Sequence, residues 1–181
     1  MISNYGSLLA AAALWLDRTD LTQMLPEFVA LAEADVRKGV KVCDMLTLNS
    51  GAVMSGLIAR PSRLGEIRWL KVDGVNTSQP DFMIDKDVIR LRDNTAKRYE
   101  LQYWRYYPAL VNVEDTNWIL DNYPDVYLYA TVAYGCQFRR DFEGYQRYMD
   151  GFRARAMELN AAEKAKLWSG PLKQVLNRVV V

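Results

Sequence analysis

No histidine occurs among the 181 residues, which removes the commonest general base and the commonest zinc ligand together. A Gly-rich phosphate loop, a nucleophile elbow and a C-x-x-C pair are missing as well. Any enzyme built on this chain would have to work with carboxylates, lysines or tyrosines alone. Excess charge of either sign is also lacking: 23 Lys and Arg stand against 22 Asp and Glu, so bulk charge makes no case for a nucleic-acid scaffold. The two cysteines, Cys43 and Cys136, lie far apart in apolar company, which fits free structural thiols and a cytosolic origin better than a disulfide or metal pair. No apolar run approaches the roughly 18 residues of a membrane-spanning helix. The longest, residues 8–16, has no Lys or Arg before it and is followed by Asp17 and Arg18. It therefore reads as a buried first helix and not as a leader.

What is present is ordinary for a folded chain, with 50% hydrophobic and 25% charged residues, enough for one domain with its own core. Ser3 is placed to cap a first helix carrying Leu8, Leu9, Ala12, Ala13, Trp15 and Leu16 on one side. Asp20 is read as the cap of a second, with Pro26 in its first turn, Phe28, Leu31, Ala32 and Val36 inward, and Gly39 at its end. From Val40 the apolar period drops toward two. Strands are expected at 42–48, 52–59, 66–72, 82–84, 88–92 and 98–106, divided by turn residues at Asn49-Ser50-Gly51, Pro61, Asp73-Gly74, Pro80 and Asp93-Asn94. Asp93-Asn94-Thr95 should join the last two strands as a hairpin. Beyond Pro108, Thr116 is expected to cap a short turn and Pro124-Asp125 to start a helix reaching about Arg139. Asp141 should cap a last helix on the seam Phe142, Tyr145, Met149, Phe152, Ala156 and Leu159. The expected fold class is α+β: an antiparallel helical bundle of four main helices with a small inserted antiparallel β-sheet and an extended C-terminal arm. Residues 1–168 form one domain (bundle from 1–41 and 116–168, β insertion 42–115), and residues 169–181 form the arm.

Few residues invite a chemical reading. Asp81, Asp85 and Asp87 are spaced like part of a divalent-ion loop, but the glycine and distal glutamate of such a loop are absent. A solvated turn explains them better, and no metal, cofactor or catalytic residue is assigned. The stretch 97–107, KRYELQYWRYY, interleaves basic and aromatic residues as a base-stacking strand would, although its alternation also fits a strand between core and solvent. A small nucleic-acid-binding module using it is the alternative functional reading. Arg139, Arg140, Arg147, Arg153 and Arg155 form a solvated face, intersubunit salt bridges or a channel wall. Tyrosines 123, 127, 129, 134, 145 and 148 are too many for one small bundle to bury with every hydroxyl satisfied, and as a group they point to a protein–protein interface. The apolar tail beyond Pro171 is either a frayed end or an arm that orders on a partner.

The string Thr116-Asn117-Trp118-Ile119-Leu120, followed by Tyr123-Pro124-Asp125-Val126-Tyr127-Leu128-Tyr129, resembles the signature of the tailed-bacteriophage head-to-tail adaptor family. Trp15-Leu16-Asp17-Arg18 with Asp20-Leu21, Pro26-Glu27-Phe28 leading to Ala32-Glu33-Ala34, and Trp168-Ser169-Gly170 are similar to the same family. The resemblance implies a non-catalytic virion protein, made in the host cytoplasm and located at the portal vertex or neck. It would form a ring, usually twelve-fold, that binds the portal protein, offers a platform to the next tail or nozzle protein, and lets double-stranded DNA pass without sequence specificity. By analogy, Leu172, Val175, Leu176 and Val179 would dock on the portal. Tyr127, Tyr134, Tyr145, Tyr148 and Arg147 would form the subunit interface, and Arg139, Arg140, Arg153 and Arg155 would face the channel.

Overall fold

The computed structural model describes residues 2–18 and 20–168. Its helical half is organised around α4 (Pro124–Phe138). Nine of that helix's residues are buried, among them Val126, Ala130, Val132, Ala133 and Cys136, and a helix apolar all round must be enclosed by others. Helices α1 (Tyr5–Leu16), α2 (Leu25–Gly39) and α5 (Phe142–Trp168) enclose it. The short α3 (Trp118–Asn122) leads into it. Gly135 lets α1 come close, since a Cβ there would stand 2.5 Å from Leu16 Cδ1. One core cluster joins Leu8, Leu25, Phe28, Val36, Ile119, Tyr127, Phe152 and Leu159 with their neighbours.

Local chemistry explains the helix ends, with three shifts from expectation. Asn4, not Ser3, caps α1 through a reciprocal pair with Ser7. Asp20 forms an ion pair with Arg18 at 2.6 Å, and α2 starts at Leu25 without a side-chain cap, with Pro26 in its first turn. Asn117, not Thr116, caps α3, its Oδ1 accepting from the Ile119 and Leu120 N–H groups. The last two helices start as expected, α4 at Pro124 and α5 after Asp141, whose Oδ1 accepts from the Gly144 N–H at 2.9 Å. Among the described residues no helix is long and apolar enough to cross a membrane.

The expected fold class needs correction. In place of four main helices with one small inserted sheet, the described residues hold five helices and two antiparallel sheets of seven strands. The strands are β1 (Leu46–Ala52), β2 (Leu57–Ala59), β3 (Leu64–Val72), β4 (Val75–Thr77), β5 (Phe82–Ile84), β6 (Val88–Leu91) and β7 (Arg98–Arg105). One sheet runs β1-β7-β3-β4 and the other β2-β6-β5. The turn at Asp93-Asn94-Thr95 therefore joins no hairpin; it carries the chain from β6 in one sheet to β7 in the other. Asn49-Ser50-Gly51 lies inside β1, paired with β7 as Asn49↔Leu101 and Gly51↔Tyr99. Alternation fixes which face a residue takes but not which strand lies beside it.

A second core cluster fills the space between the sheets, built from Val53, Ile58, Leu64, Leu70, Phe82, Ile89, Leu91, Tyr99, Leu101 and Tyr103 among others. On β7 the expected alternation holds: Tyr99, Leu101 and Tyr103 are buried while Arg98 and Glu100 are exposed. Contacts around the turn before β1 hold the sheets to the bundle. Asn160 Oδ1 on α5 accepts from the Lys41 N–H (2.8 Å), and Glu163 Oε2 accepts from the Cys43 N–H (2.8 Å) at the 3-10 turn Cys43–Met45 that opens into β1. The Tyr107 hydroxyl donates to Asp44 Oδ2 at 2.6 Å.

Candidate functional site

Partly exposed aromatics of the bundle form two seams, one toward α1 and one toward α2, apart from the pair Trp118 and Tyr123 at 5.8 Å. On the α1 side Trp15 lies against Tyr129 and Tyr148, with ring centroids 5.9 and 6.0 Å away, and the Arg147 guanidinium sits 5.1 Å from the Tyr148 ring. Offset and tilted contacts of this kind suit the ring quadrupoles. On the α2 side the Tyr134 hydroxyl donates to Asp35 Oδ2 at 2.5 Å, Tyr134 meets Tyr145 edge-on at 6.3 Å, and Phe28 meets Phe138 at 5.6 Å. Burial first, then the hydrogen bond to Asp35, pushes the Tyr134 phenol well above its ordinary range. It stays a donor at any physiological pH.

Tyr127 is placed differently from the tyrosines grouped with it. It is 2% exposed, inside the core, and its oxygen accepts from Asn117 Nδ2 at 3.0 Å. Burial pushes its pKa up to about 12. Its place is to fix α3 against α4, behind the seams rather than on them. Tyr145 and Tyr148 are half-buried, and Arg147 is exposed.

The arginines occupy separate places on the subunit. Arg139 and Arg140 sit at the exposed corner between α4 and α5, with Arg139 Nη1 donating to the Leu16 carbonyl at 3.2 Å and Arg140 holding φ at 61°. Arg153 pairs with Asp150 at 3.0 Å, and Arg155 is bound by both Asp125 and Glu158. Helix positions two apart point to nearly opposite sides, so Arg153 and Arg155 serve different faces of α5.

Other sequence candidates find structural places. Asp85 opens the tight turn between β5 and β6 and faces Arg90 at 3.3 Å. Among the described residues no group of three or more Cys, Asp or Glu could hold a metal. In the 97–107 stretch the inward aromatics Tyr99 and Tyr103 are enclosed by the sheets, while Trp104, Tyr106 and Tyr107 pack on the helical core. That leaves no row of free rings for bases. Leu172, Val175, Leu176 and Val179 lie outside the described residues.

Two surface features went unread in the sequence. Helix α1 contains no charged residue, and it exposes Leu14 (80%) and Trp15 (47%) beside a groove lined by Ala10, Ala13, Asp17 and Arg18. The signal was the missing charge in YGSLLAAAALWL, since a solvated helix face normally carries some. The other is the outer edge of β1, hidden by reading its glycine as a turn.

A family model described as SU10 adaptor protein matches residues 3–175, nearly the whole chain and both helical halves with the sheets between them. No curated protein matches.

Proposed function

The chain belongs to the SU10 adaptor protein family of phage head-to-tail adaptors, and on that premise we propose that it assembles as a ring, usually twelve-fold in such adaptors, beneath the portal. In this reading the ring docks on the portal protein, offers a platform to the next tail or nozzle protein, and leaves a central channel through which double-stranded DNA passes without sequence recognition. The protein works as a structural part of the virion neck, without catalysis. Residues 1–168 act as one unit, and the segment 169–181 acts as the arm, with Leu172, Val175, Leu176 and Val179 as its portal contacts.

The observation that carries the proposal is the pair of unlike aromatic seams. A ring is built from heterologous contacts, in which each subunit offers two different surfaces. Trp15, Tyr129, Tyr148 and Arg147 supply one candidate surface, and Tyr134, Tyr145 and Phe138 supply the other. Tyr127 supports both from behind. Of the proposed channel residues, Arg139 and Arg140 are the two that form no ion pair among the described residues, so they are the better placed to meet phosphate.

Ordering subunits into a ring costs free energy that a partner surface can offset. The expected outcome is a protein that is monomeric or weakly associated alone and ring-forming on its portal. Native mass spectrometry with and without portal particles checks this, and failure of any ring to form on the portal overturns the reading.

A further inference from the structure

Strand β1 lacks three of the devices that usually keep a sheet edge from pairing with another molecule: charge, proline and a bulge. Its seven residues, LTLNSGA, include no charge and no proline, and its ladder with β7 runs from Leu46↔Trp104 to Ala52↔Arg98 without a bulge. The direction of its free groups follows from the ladder. The Val53 N–H donates to the Lys97 carbonyl at 2.9 Å. Alternation then turns Thr47, Asn49 and Gly51 toward β7 and the backbone amides of Leu48, Ser50 and Ala52 outward, while the Leu46 N–H is taken by the Cys43 carbonyl. Among the described residues no strand takes up those amides.

The opposite edge of the same sheet is unfinished. Strand β3 has nine residues, but β4 pairs only with Leu70, Lys71 and Val72. The Tyr106 N–H donates to the Arg63 carbonyl at 2.9 Å and Gly65 lies against the Trp104 carbonyl, so Gly65 faces β7. Beyond it the ladder shifts register between Leu64 and Ile67 and again between Ile67 and Trp69, which leaves backbone groups of residues 66–68 unpaired with β7. A slot of about 540 Å³ lies along this open stretch, with 65–70 of β3 as one wall and Ser78, Gln79, Phe82 and Ile84 along the other. The open residues 64–69 span at most about 20 Å, less where the ladder shifts, and β1 about 23 Å at the usual rise of a strand.

Direction and charge match. Both β1 and β3 run antiparallel to β7, so they are parallel to each other. A rotation about an axis along the strands brings β1 of one copy alongside β3 of the next in that same sense. Glu66 is already paired with Lys41, and Arg68 donates to Gln102 Oε1 at 3.2 Å. An uncharged strand entering there adds no charge to the edge, where Glu66 has an ionic partner and Arg68 a hydrogen-bond acceptor.

We propose that β1 of one copy adds as a parallel strand to the open edge of β3 in the next copy, so that the sheets join edge to edge around the ring. The contact uses two different edges and therefore runs on in one direction until it closes. The inference rests on the ring reading and adds its backbone interface.

Disulfide trapping between singly substituted proteins tests it. In a Cys43→Ser background, Ser50→Cys protein is mixed with Arg68→Cys protein, in concentrated solution and on portal particles, and oxidised. The expected product is a 50–68 linked pair identified by peptide mass. A second variant, Ser50→Pro, removes an N–H that β7 does not use, so wild-type circular dichroism is expected together with a loss of self-association of at least about tenfold. A 50–50 adduct alone, or an assembled ring with no 50–68 adduct, overturns the edge pairing. A wild-type protein that forms no ring on the portal overturns the ring reading instead, which is a different result.

Discussion

Glu33 shows how much one side chain can be asked to do in this core. It is 6% exposed, its Oε1 accepts from the Leu110 N–H at 2.8 Å, and Arg37 stands 3.7 Å away. Burial, only partly offset by that N–H and by Arg37, raises its pKa above the ordinary glutamate value. A raised folded-state pKa means that the folded protein holds the proton more tightly than the unfolded chain. The cost of charging Glu33 is therefore full above its raised pKa and fades as pH falls toward the unfolded value near about 4.3. Glu33→Gln keeps an oxygen for Leu110 and cannot ionise. Its thermal midpoint is expected to equal or exceed wild type at pH 7.5, with the gap between the two proteins narrowing at pH 5. A gap that widens on acidification contradicts this account. No sequence pattern marks Glu33, since on α2 it reads as one of several acids on the wet side, and only the fold of the 108–117 loop over it reveals its burial.

At the scale of elements, α5 is held to the sheets by an acid of the opposite character. Glu163 is 1% exposed. Burial works against its charge, but the Lys166 ammonium and the Cys43 N–H outweigh it and keep the carboxyl below its usual range. Its contribution is present above the unfolded glutamate pKa and is lost as pH falls through the lower folded value. Glu163→Ala is expected to cost about 2–3 kcal/mol at neutral pH, because the Cys43 N–H is left without its acceptor. Urea denaturation reads the loss, which should shrink in acid. The elements themselves were largely legible. Pro124, Asp141, and the alternation of Tyr99, Leu101 and Tyr103 each act through local geometry, which sequence records directly. The division into two sheets was not legible, since strand partners are chosen by contacts far apart in the chain, and Asn49-Ser50-Gly51 looks like a turn until Gly51 is seen packed under the Tyr99 ring. Of the candidate surfaces, the excess of tyrosines and the two-residue spacing that separates Arg153 from Arg155 were visible in the sequence, but the retreat of Tyr127 into the core was not.

For the molecule as a whole, the buried residues described in the two core clusters run from Tyr5 to Leu159. Truncation after Gly170 is accordingly expected to leave the thermal midpoint within about 2–4 °C of the full chain, the shift that loss of about 1 kcal/mol would give in a domain of this size. Under the proposed function the same truncation abolishes attachment to the portal. Co-sedimentation with portal particles reads the second outcome, and a truncated protein that still pellets with them removes the arm from the mechanism. Helix α5 is one unbroken element of 27 residues, about 40 Å long at the usual rise. It is fastened at one end by Asp141 to the corner after α4, and farther along by Asn160 and Glu163 to the turn that begins β1. With no joint along its length, it behaves as a strut. A displacement of the corner would then reach the root of β1 as axial load along the helix.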